Sequence, residues 1–397
     1  MGGDVHDMTD EQMILSYLGE DTKQYGCSVG RHGYFRLVTD FGAADALEKR
    51  LAVEGYALCS SREMEKQVTR LWRRGRETVF VARQAGIGAL RVITSQDEEL
   101  FFGTEGEATH RPGMILMNSA YDFPEDPHDN GMGMVVTLAD GRFLIYDGGY
   151  PTETDGLMDY LAAQTPNGKK PVIAAWVLTH SHGDHYLCVL DFLKRCPERA
   201  TVERFLFCAP PVLNAKGRSW DDPFLAERFP ALAAENGIPC FSPYEGQILS
   251  FPGVQMEILE TVDGLFPICS TDSNMASLTT RLFFETLGEG KSVLIPGDLM
   301  GSALNRMVYL YGDHLKSEIL QLPHHGVSGG TKEFYDAVDP ETVIYCTAED
   351  KYRERVVTNV EAYLEGDIRN YSWNHYLMNW LHVKKAIVAD GGYQSIV

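Results

Sequence analysis

A chain of 397 residues, 44% apolar and 23% charged, holds enough apolar material for a sizeable core and is long for one domain, so two units are expected. Its formal net charge of −21 is spread along the chain and repels polyanions, which counts against duplex nucleic acid and anionic membranes as partners but admits a small phosphorylated molecule at a locally positive centre. No apolar run approaches bilayer-spanning length, Met1 to Asp7 lack the basic-then-apolar pattern of a secretory leader, and the eight cysteines form no CxxC pair. These features predict a cytoplasmic protein with no membrane segment and with reduced, buried thiols.

Residues 1–28 are polar apart from an amphipathic patch at Met13 to Leu18, read as a helical arm. Tyr34 to Thr39 reads as a strand and Ala43 to Gly55 as a helix with Leu47, Leu51 and Val53 apolar and glycine at its end. Strands follow at Ala57 to Ser60, Thr78 to Gln84 and Ala89 to Ser95. This βαβββ-like stretch has no His, Cys or carboxylate cluster at ligand spacing. It predicts a small α+β accessory domain over residues 1–112, suited to packing on the larger unit, shaping its cleft or making a homo-oligomer.

The second unit, residues 113–397, opens with a strand at Met114 to Met117. A loop rich in Pro, Asp and Asn (Tyr121 to Gly131) follows, and its Asp126, His128 and Asp129 read first as solvated loop residues. Gly133 to Ala139 and Arg142 to Tyr146 form a hairpin through Asp140-Gly141, with Asp147-Gly148-Gly149 behind it. After a helix at Asp155 to Gln164, the continuous apolar run Pro171 to Leu178 predicts a strand buried on both faces. It runs directly into Thr179-His180-Ser181-His182-Gly183-Asp184-His185, three imidazoles and a carboxylate within six residues. A helix (Tyr186 to Arg195), a strand (Val202 to Cys208) and a helical stretch (Phe224 to Asn236) come next, then strands at Val254 to Leu259 and Leu278 to Glu285. Two further apolar strands end in Pro296-Gly297-Asp298 and in Pro323-His324-His325-Gly326. The chain closes with a helix at Asn359 to Leu364, an aromatic patch (Tyr371, Trp373, Tyr376, Trp380) read as core or interface, which takes in His375 and His382, and a strand at Ala386 to Ala389.

Ligand-type residues at strand ends lie where α/β folds place their chemistry. His180 and His182, two apart in an extended loop, point the same way and can chelate one metal, while Asp184 and His185, past the turn at Gly183, can face a second. Gly297 lets the backbone turn so that Asp298 reaches closely, and a carboxylate between two dications fixes them about 3.5 to 4 Å apart. Only one of His324 and His325 is expected to join them.

His180-x-His182-x-Asp184-His185 resembles the signature of the metallo-β-lactamase fold superfamily of metal-dependent hydrolases. The resemblance extends over roughly residues 114–350 through the strand ends at Asp147, Asp298 and His325. It implies an αββα four-layer sandwich behind the small N-terminal domain. It also implies two divalent ions, zinc or manganese with iron as a further candidate, held by His180, His182, Asp184, His185, Asp298 and His325, with Asp298 bridging and Asp147 supporting the loop. Alignment of Pro323-His324-His325-Gly326 with the Pro-Gly-His-Gly form of relatives favours His325 as ligand and leaves His324 as proton donor, substrate contact or support. Many members carry a further His before the bridging Asp. Here no histidine lies between His185 and His314, and the stretch around Asp272, Asn274 and Ser277 resembles the Asn-x-x-Ser of a subgroup that also has His-His-Gly. That subgroup includes the hydrolase domain of competence-type DNA-uptake proteins and teichoic-acid choline-phosphate esterases. An oxygen ligand from Asp272 or Asn274 would favour harder ions such as Mn²⁺. The implied activity is hydrolysis of a phosphoester or phosphodiester by a metal-bound hydroxide, with Asp184 and His324 as catalytic groups. Alternatives are a lactone, thioester or β-lactam hydrolase, and a metal-stabilised binding or regulatory protein without turnover.

Overall fold

The computed structural model describes residues 10–28, 30–96, 99–103, 106–117, 131–166, 168–208, 227–265, 273–285, 291–326, 329–353, 373–390 and 392–397. Asp126, His128, Asp129, Cys269, Asp272, Tyr371 and the helix expected at Asn359 to Leu364 lie outside these residues. The chain separates into residues 1–99 and 100–397.

In the first unit, helices α1 (Asp10–Leu18) and α2 (Gly42–Val53) accompany strands β1 (Lys23–Gly26), β2 (Arg31–Leu37), β3 (Ala57–Glu63), β4 (Val68–Arg74), β5 (Glu77–Gln84) and β6 (Ala89–Ser95). The strands form one antiparallel sheet in the order β1-β2-β6-β5-β4-β3. The expected helical arm is corrected: Met13, Ile14 and Leu18 of α1 are buried with Leu47 and Leu51 of α2 and with Tyr34, Val79, Val81, Leu90 and Val92 of the sheet. Burying three large apolar side chains is worth several kcal/mol, roughly 1.5 to 3 each, which holds a nine-residue helix that would be marginal alone. Gly55 ends α2 with φ +86, as expected of a glycine cap, whereas Val53 is exposed. Strand β4 escaped notice in the sequence because arginines interrupt its apolar alternation; Arg70 pairs with Glu48 of α2 and Glu63 of β3.

The second unit contains β7 (Gly113–Leu116), β8 (Gly133–Thr137), β9 (Phe143–Asp147), α3 (Glu153–Gln164), β10 (Val172–Val177), α4 (Gly183–Arg195), β11 (Thr201–Val202), β12 (Phe205–Leu206), α5 (Phe229–Glu235) and β13 (Cys240–Phe241). Then come β14 (Ile248–Phe251), β15 (Val254–Glu260), β16 (Thr279–Phe284), β17 (Lys291–Ile295), α6 (Gly301–Tyr311), β18 (Ile319–Gln321), α7 (Lys332–Val338), β19 (Thr342–Tyr345), α8 (Glu349–Arg353), α9 (Asn374–Trp380), β20 (Lys385–Val388) and β21 (Gln394–Ser395). One sheet runs β13-β12-β10-β9-β8-β7-β21, with β11 also on β10; the other runs β14-β15-β16-β17-β18-β19-β20.

The two sheets stack face to face. Met134, Leu144, Tyr146, Ala175 and Val177 of the first meet Val254, Met256, Ile258, Leu282, Val293 and Ile319 of the second in one core. The alternate residues Val135, Phe143, Ile145, Ile173 and Trp176 point outward under Leu157 and Leu161 of α3 and Val189 and Phe192 of α4. A strand covered on both faces must be apolar throughout, which is why β9 and β10 read as continuous runs rather than alternating ones. The expected strand at 202–208 breaks into β11 and β12, and α4 begins earlier than expected, at Gly183, so the histidine loop feeds straight into a helix. Helix α6 buries Ala303, Leu304, Met307, Leu310 and Tyr311 along one stripe. This is a mixed α/β sandwich of two sheets with helices outside.

The unit boundary moves from the expected residue 113 to 100, because the intervening chain belongs to the larger unit. Phe101 packs in the inter-sheet core with Phe251, Gly103 bridges Ser250, and the Thr109 and His110 N–H groups donate to the Ala139 carbonyl at 2.6 and 2.7 Å. At Gly103, φ is +85 and a Cβ would collide with the Ser250 carbonyl. Gly103→Ala should therefore destabilise the larger unit by about 2 to 3 kcal/mol. Hydrogen exchange should show faster exchange around Ser250 and Ala139 and unchanged protection in β5 and β6; a loss confined to residues 31–95 would return this segment to the first unit.

Candidate metal centre

Strands β9, β10, β17, β18 and β19 all deliver their C-terminal ends to one edge of the sandwich, and the six residues expected to hold metal sit on three of the loops that follow. Among the described residues, two groups of ligand-type atoms converge there: His180, His185 and Asp298, and Asp184, His185 and His325.

Asp147 organises the first loop. It ends β9 with φ +52, an uncommon value for a residue with a side chain, and two glycines with positive φ follow it. Its Oδ1 accepts the Thr179 N–H at 2.7 Å; its Oδ2 accepts the Thr179 hydroxyl at 2.7 Å and faces His185 Nδ1 at 2.8 Å. The Trp176 indole N–H donates to the Asp147 carbonyl at 2.5 Å. A Cβ at Gly148 would press on Cys188 of α4, so glycine is what allows the loop to lie against that helix. Asp184 falls in the first turn of α4, where the helix dipole favours a carboxylate.

The second half of the site is equally constrained. His325 Nδ1 faces the Cys346 carbonyl, at the end of β19, at 2.9 Å, which turns Nε2 inward. His325 Nε2 lies 3.2 Å from Asp184 Oδ2, 3.3 Å from Asp298 Oδ2 and 3.1 Å from His185 Nε2. His324 and His325 both have positive φ (51 and 58), so of the four such non-glycine residues among those described, three lie at this site. Strain of that kind concentrates where geometry is demanded by function. Gly326 completes the turn at φ +80, and a Cβ there would strike the Tyr345 ring.

The donor set fits a divalent cation. Asp147 and the Cys346 carbonyl can only accept, so Nδ1 carries the proton on both His185 and His325 and both Nε2 atoms present lone pairs to each other. Two carboxylates close the ring: Asp298 Oδ2 is 3.4 Å from His185 Nε2 and 3.8 Å from His180 Nε2. His180 Nε2 and Asp298 Oδ1 are buried with no hydrogen-bond partner among the described residues. The two carboxylates make a positive charge between these imidazoles favourable, whether a metal cation or protons on Nε2 carry it. Burial opposes charge on His185 and His325, yet Asp298 and Asp184 outweigh it, holding His185 well above its ordinary value and pushing His325 up to about 10. Burial and then His185 drive His180 well below its ordinary value. For Asp298, burial is outweighed by His325 and His185, which hold it well below the carboxylate range.

His182 stands beside His180, ring centroids 4.6 Å apart, but belongs to neither converging group. His324 is part-exposed, with Nε2 3.9 Å from Asp298 Oδ2, and is also absent from both groups, so the structure separates the two adjacent histidines: His325 inside, His324 at the rim. Asn274 is buried in the single turn Ser273–Ala276, whose partner residue Ser277 accepts the Asp298 N–H on its hydroxyl at 3.1 Å. Thr179, Gln321 and the Cys346 carbonyl were not anticipated, and Ser277 was singled out only as part of the Asn-x-x-Ser resemblance, not as the partner of the Asp298 N–H.

A family model described as the metallo-beta-lactamase superfamily matches residues 129–347. No curated protein matches the chain. Among solved structures, CmlA, a diiron beta-hydroxylase from Streptomyces venezuelae, is 13% identical with a TM-score of 0.38 over 73% of this chain; the chain spans 55% of CmlA. Rm3 metallo-beta-lactamase is 12% identical with a TM-score of 0.30, over 68% of this chain and 91% of that one.

Asp147→Asn keeps the shape but sets an amide N–H or a tautomer change against His185 Nδ1. Affinity for Zn²⁺ or Mn²⁺, read by calorimetric titration, should fall about 10- to 100-fold. Unchanged affinity would show that Asp147 serves the fold alone.

Proposed function

Because the chain belongs to the metallo-beta-lactamase superfamily and brings His180, His185, Asp298, Asp184 and His325 together at one edge, we propose that it is a metal-dependent hydrolase of phosphoesters or phosphodiesters. The observation that carries the reading is the inward convergence of His185 Nε2 and His325 Nε2, each with its other nitrogen already committed, on two carboxylates.

In this reading His180 and Asp298, with His182 beside them, would hold one divalent ion, and Asp184, His185 and His325 would hold the second. Bound divalent ions supply Lewis acidity, lowering the pKa of water and drawing charge from a phosphoryl oxygen. The protein's own groups do the rest. Asp184, whose side chain is 26% exposed, is the carboxylate of the cluster that solvent reaches, and it orients the attacking water by accepting its hydrogen bond. His324, 30% exposed with Nε2 3.9 Å from Asp298 Oδ2, touches the substrate and gives a hydrogen bond to the leaving-group oxygen.

Support for a phosphoryl rather than an acyl substrate comes from the Pro323-His324-His325-Gly326 turn together with Asn274-x-x-Ser277, the pair of features that resembles phosphoryl-cleaving members, and from the lack of a histidine between His185 and His314. The overall charge of −21 favours a small substrate over a polyanion.

With added Mn²⁺ or Zn²⁺ the protein should hydrolyse bis(p-nitrophenyl) phosphate, and chelation should abolish turnover. Turnover of p-nitrophenyl acetate, a lactone or a cephalosporin with none of the phosphodiester would overturn the substrate class. The two adjacent histidines should part company in a metal count: His325→Ala should lose an ion, whereas His324→Ala should keep the full complement while kcat drops by about 10²- to 10⁴-fold. The reverse result would exchange their roles.

A further inference from the structure

Gln321 ends β18, the strand leading to His324 and His325, and its side chain is fully buried. Its carboxamide reaches across to the neighbouring strand end: Oε1 accepts the Gly297 N–H at 3.0 Å, while Nε2 donates to the Gly297 carbonyl at 3.2 Å and to the Leu322 carbonyl at 2.6 Å. The parallel ladder between β17 and β18 runs through Val293↔Ile319 and Leu294↔Leu320 and stops there. It cannot continue, since Pro296 has no N–H and Gly297 turns away with φ +59. The side-chain amide therefore stands in for the missing rung.

Several contacts meet on that one glycine. Its carbonyl also accepts the His324 N–H at 3.2 Å, and a Cβ on it would press against Thr179 and Ser277 at 3.1 and 3.2 Å. Asp298 follows immediately, its N–H bound by Ser277. We propose that Gln321 is a positioning residue that sets the distance between Asp298 and His325 by gripping Gly297 through both ends of its amide. The inference rests on the metal-dependent reading above, because that distance matters to function only when ions are held.

The amide is the one side chain of this shape that both accepts and donates. Gln321→Glu keeps the outline and the acceptor but sets a carboxylate oxygen against two carbonyls; Gln321→Met keeps the length and apolar bulk with neither polar end. A residue that merely fills space would tolerate methionine. Titration of the full-length, metal-free protein with Co²⁺ separates these cases without any need for turnover. For both variants the proposal expects affinity lower by about 10- to 100-fold and a changed d–d absorption band, with kcat reduced more than KM is raised. Wild-type cobalt affinity and spectrum in Gln321→Met would overturn it. Should the variants fail to fold, the unsubstituted metal-free protein decides: slow exchange of the Gly297 amide proton supports the grip, and exchange at the rate of an exposed amide overturns it. If cobalt binding changes as expected although no phosphoester is ever cleaved, the proposed function fails and this inference stands.

Discussion

The Asp147 carboxylate bears the arrangement of the whole metal edge. A buried carboxylate is costly unless its lone pairs are filled, and here they are filled by the Thr179 amide, the Thr179 hydroxyl and the Nδ1–H of His185. Those bonds decide which way His185 faces and fix the start of the loop carrying His180, His182 and Asp184. They also explain why the chain tolerates a left-handed Asp147, which costs about 1 to 2 kcal/mol relative to an ordinary conformation. The carboxylate meets the loop from that backbone conformation.

The opposite half of the edge solves the same problem with neutral groups rather than charge. The Cys346 carbonyl orients His325, and the Ser277 hydroxyl holds the Asp298 amide. A charged hub on one sheet and neutral clamps on the other leave the negative charge concentrated where cations are wanted, on Asp184 and Asp298. The rigidity behind them comes from the inter-sheet core, where Tyr146 of β9 hydrogen-bonds Thr280 of β16 at 2.8 Å and so ties the two sheets directly.

What could be read from the chain followed from whether the interaction is local. His180 to His185 announce themselves because ligands on one loop must be close in sequence, and the apolar runs of β9 and β10 announce burial on both faces. Strand β4 did not, since its arginines break the apolar alternation and Arg70 spends its charge on Glu63 of the adjacent strand and on Glu48, 22 residues away on α2. Helix α1 read as an arm because its partners lie in a sheet formed later in the chain. The preference for His325 over His324 came from the family resemblance alone, since their separation rests on two consecutive left-handed residues, which sequence-based propensities do not anticipate for histidine. Thr179 and Ser277 belong to the same class: ordinary polar residues whose importance lies in where the fold sends them.

The strand ends that converge on the site come from residues 147, 179, 297, 325 and 346, spanning half the chain. No short stretch contains the complete set, so a cation cannot template early folding; it meets its full complement of donors only after both sheets have docked. Non-local closure of this sort is slow to form. An ion bound by the full set would therefore stabilise the finished sandwich more than a part-folded chain, which offers only the local donors of His180 to His185. On the proposed function, the supply of the ion would then bear on how long this edge stays closed as well as on turnover.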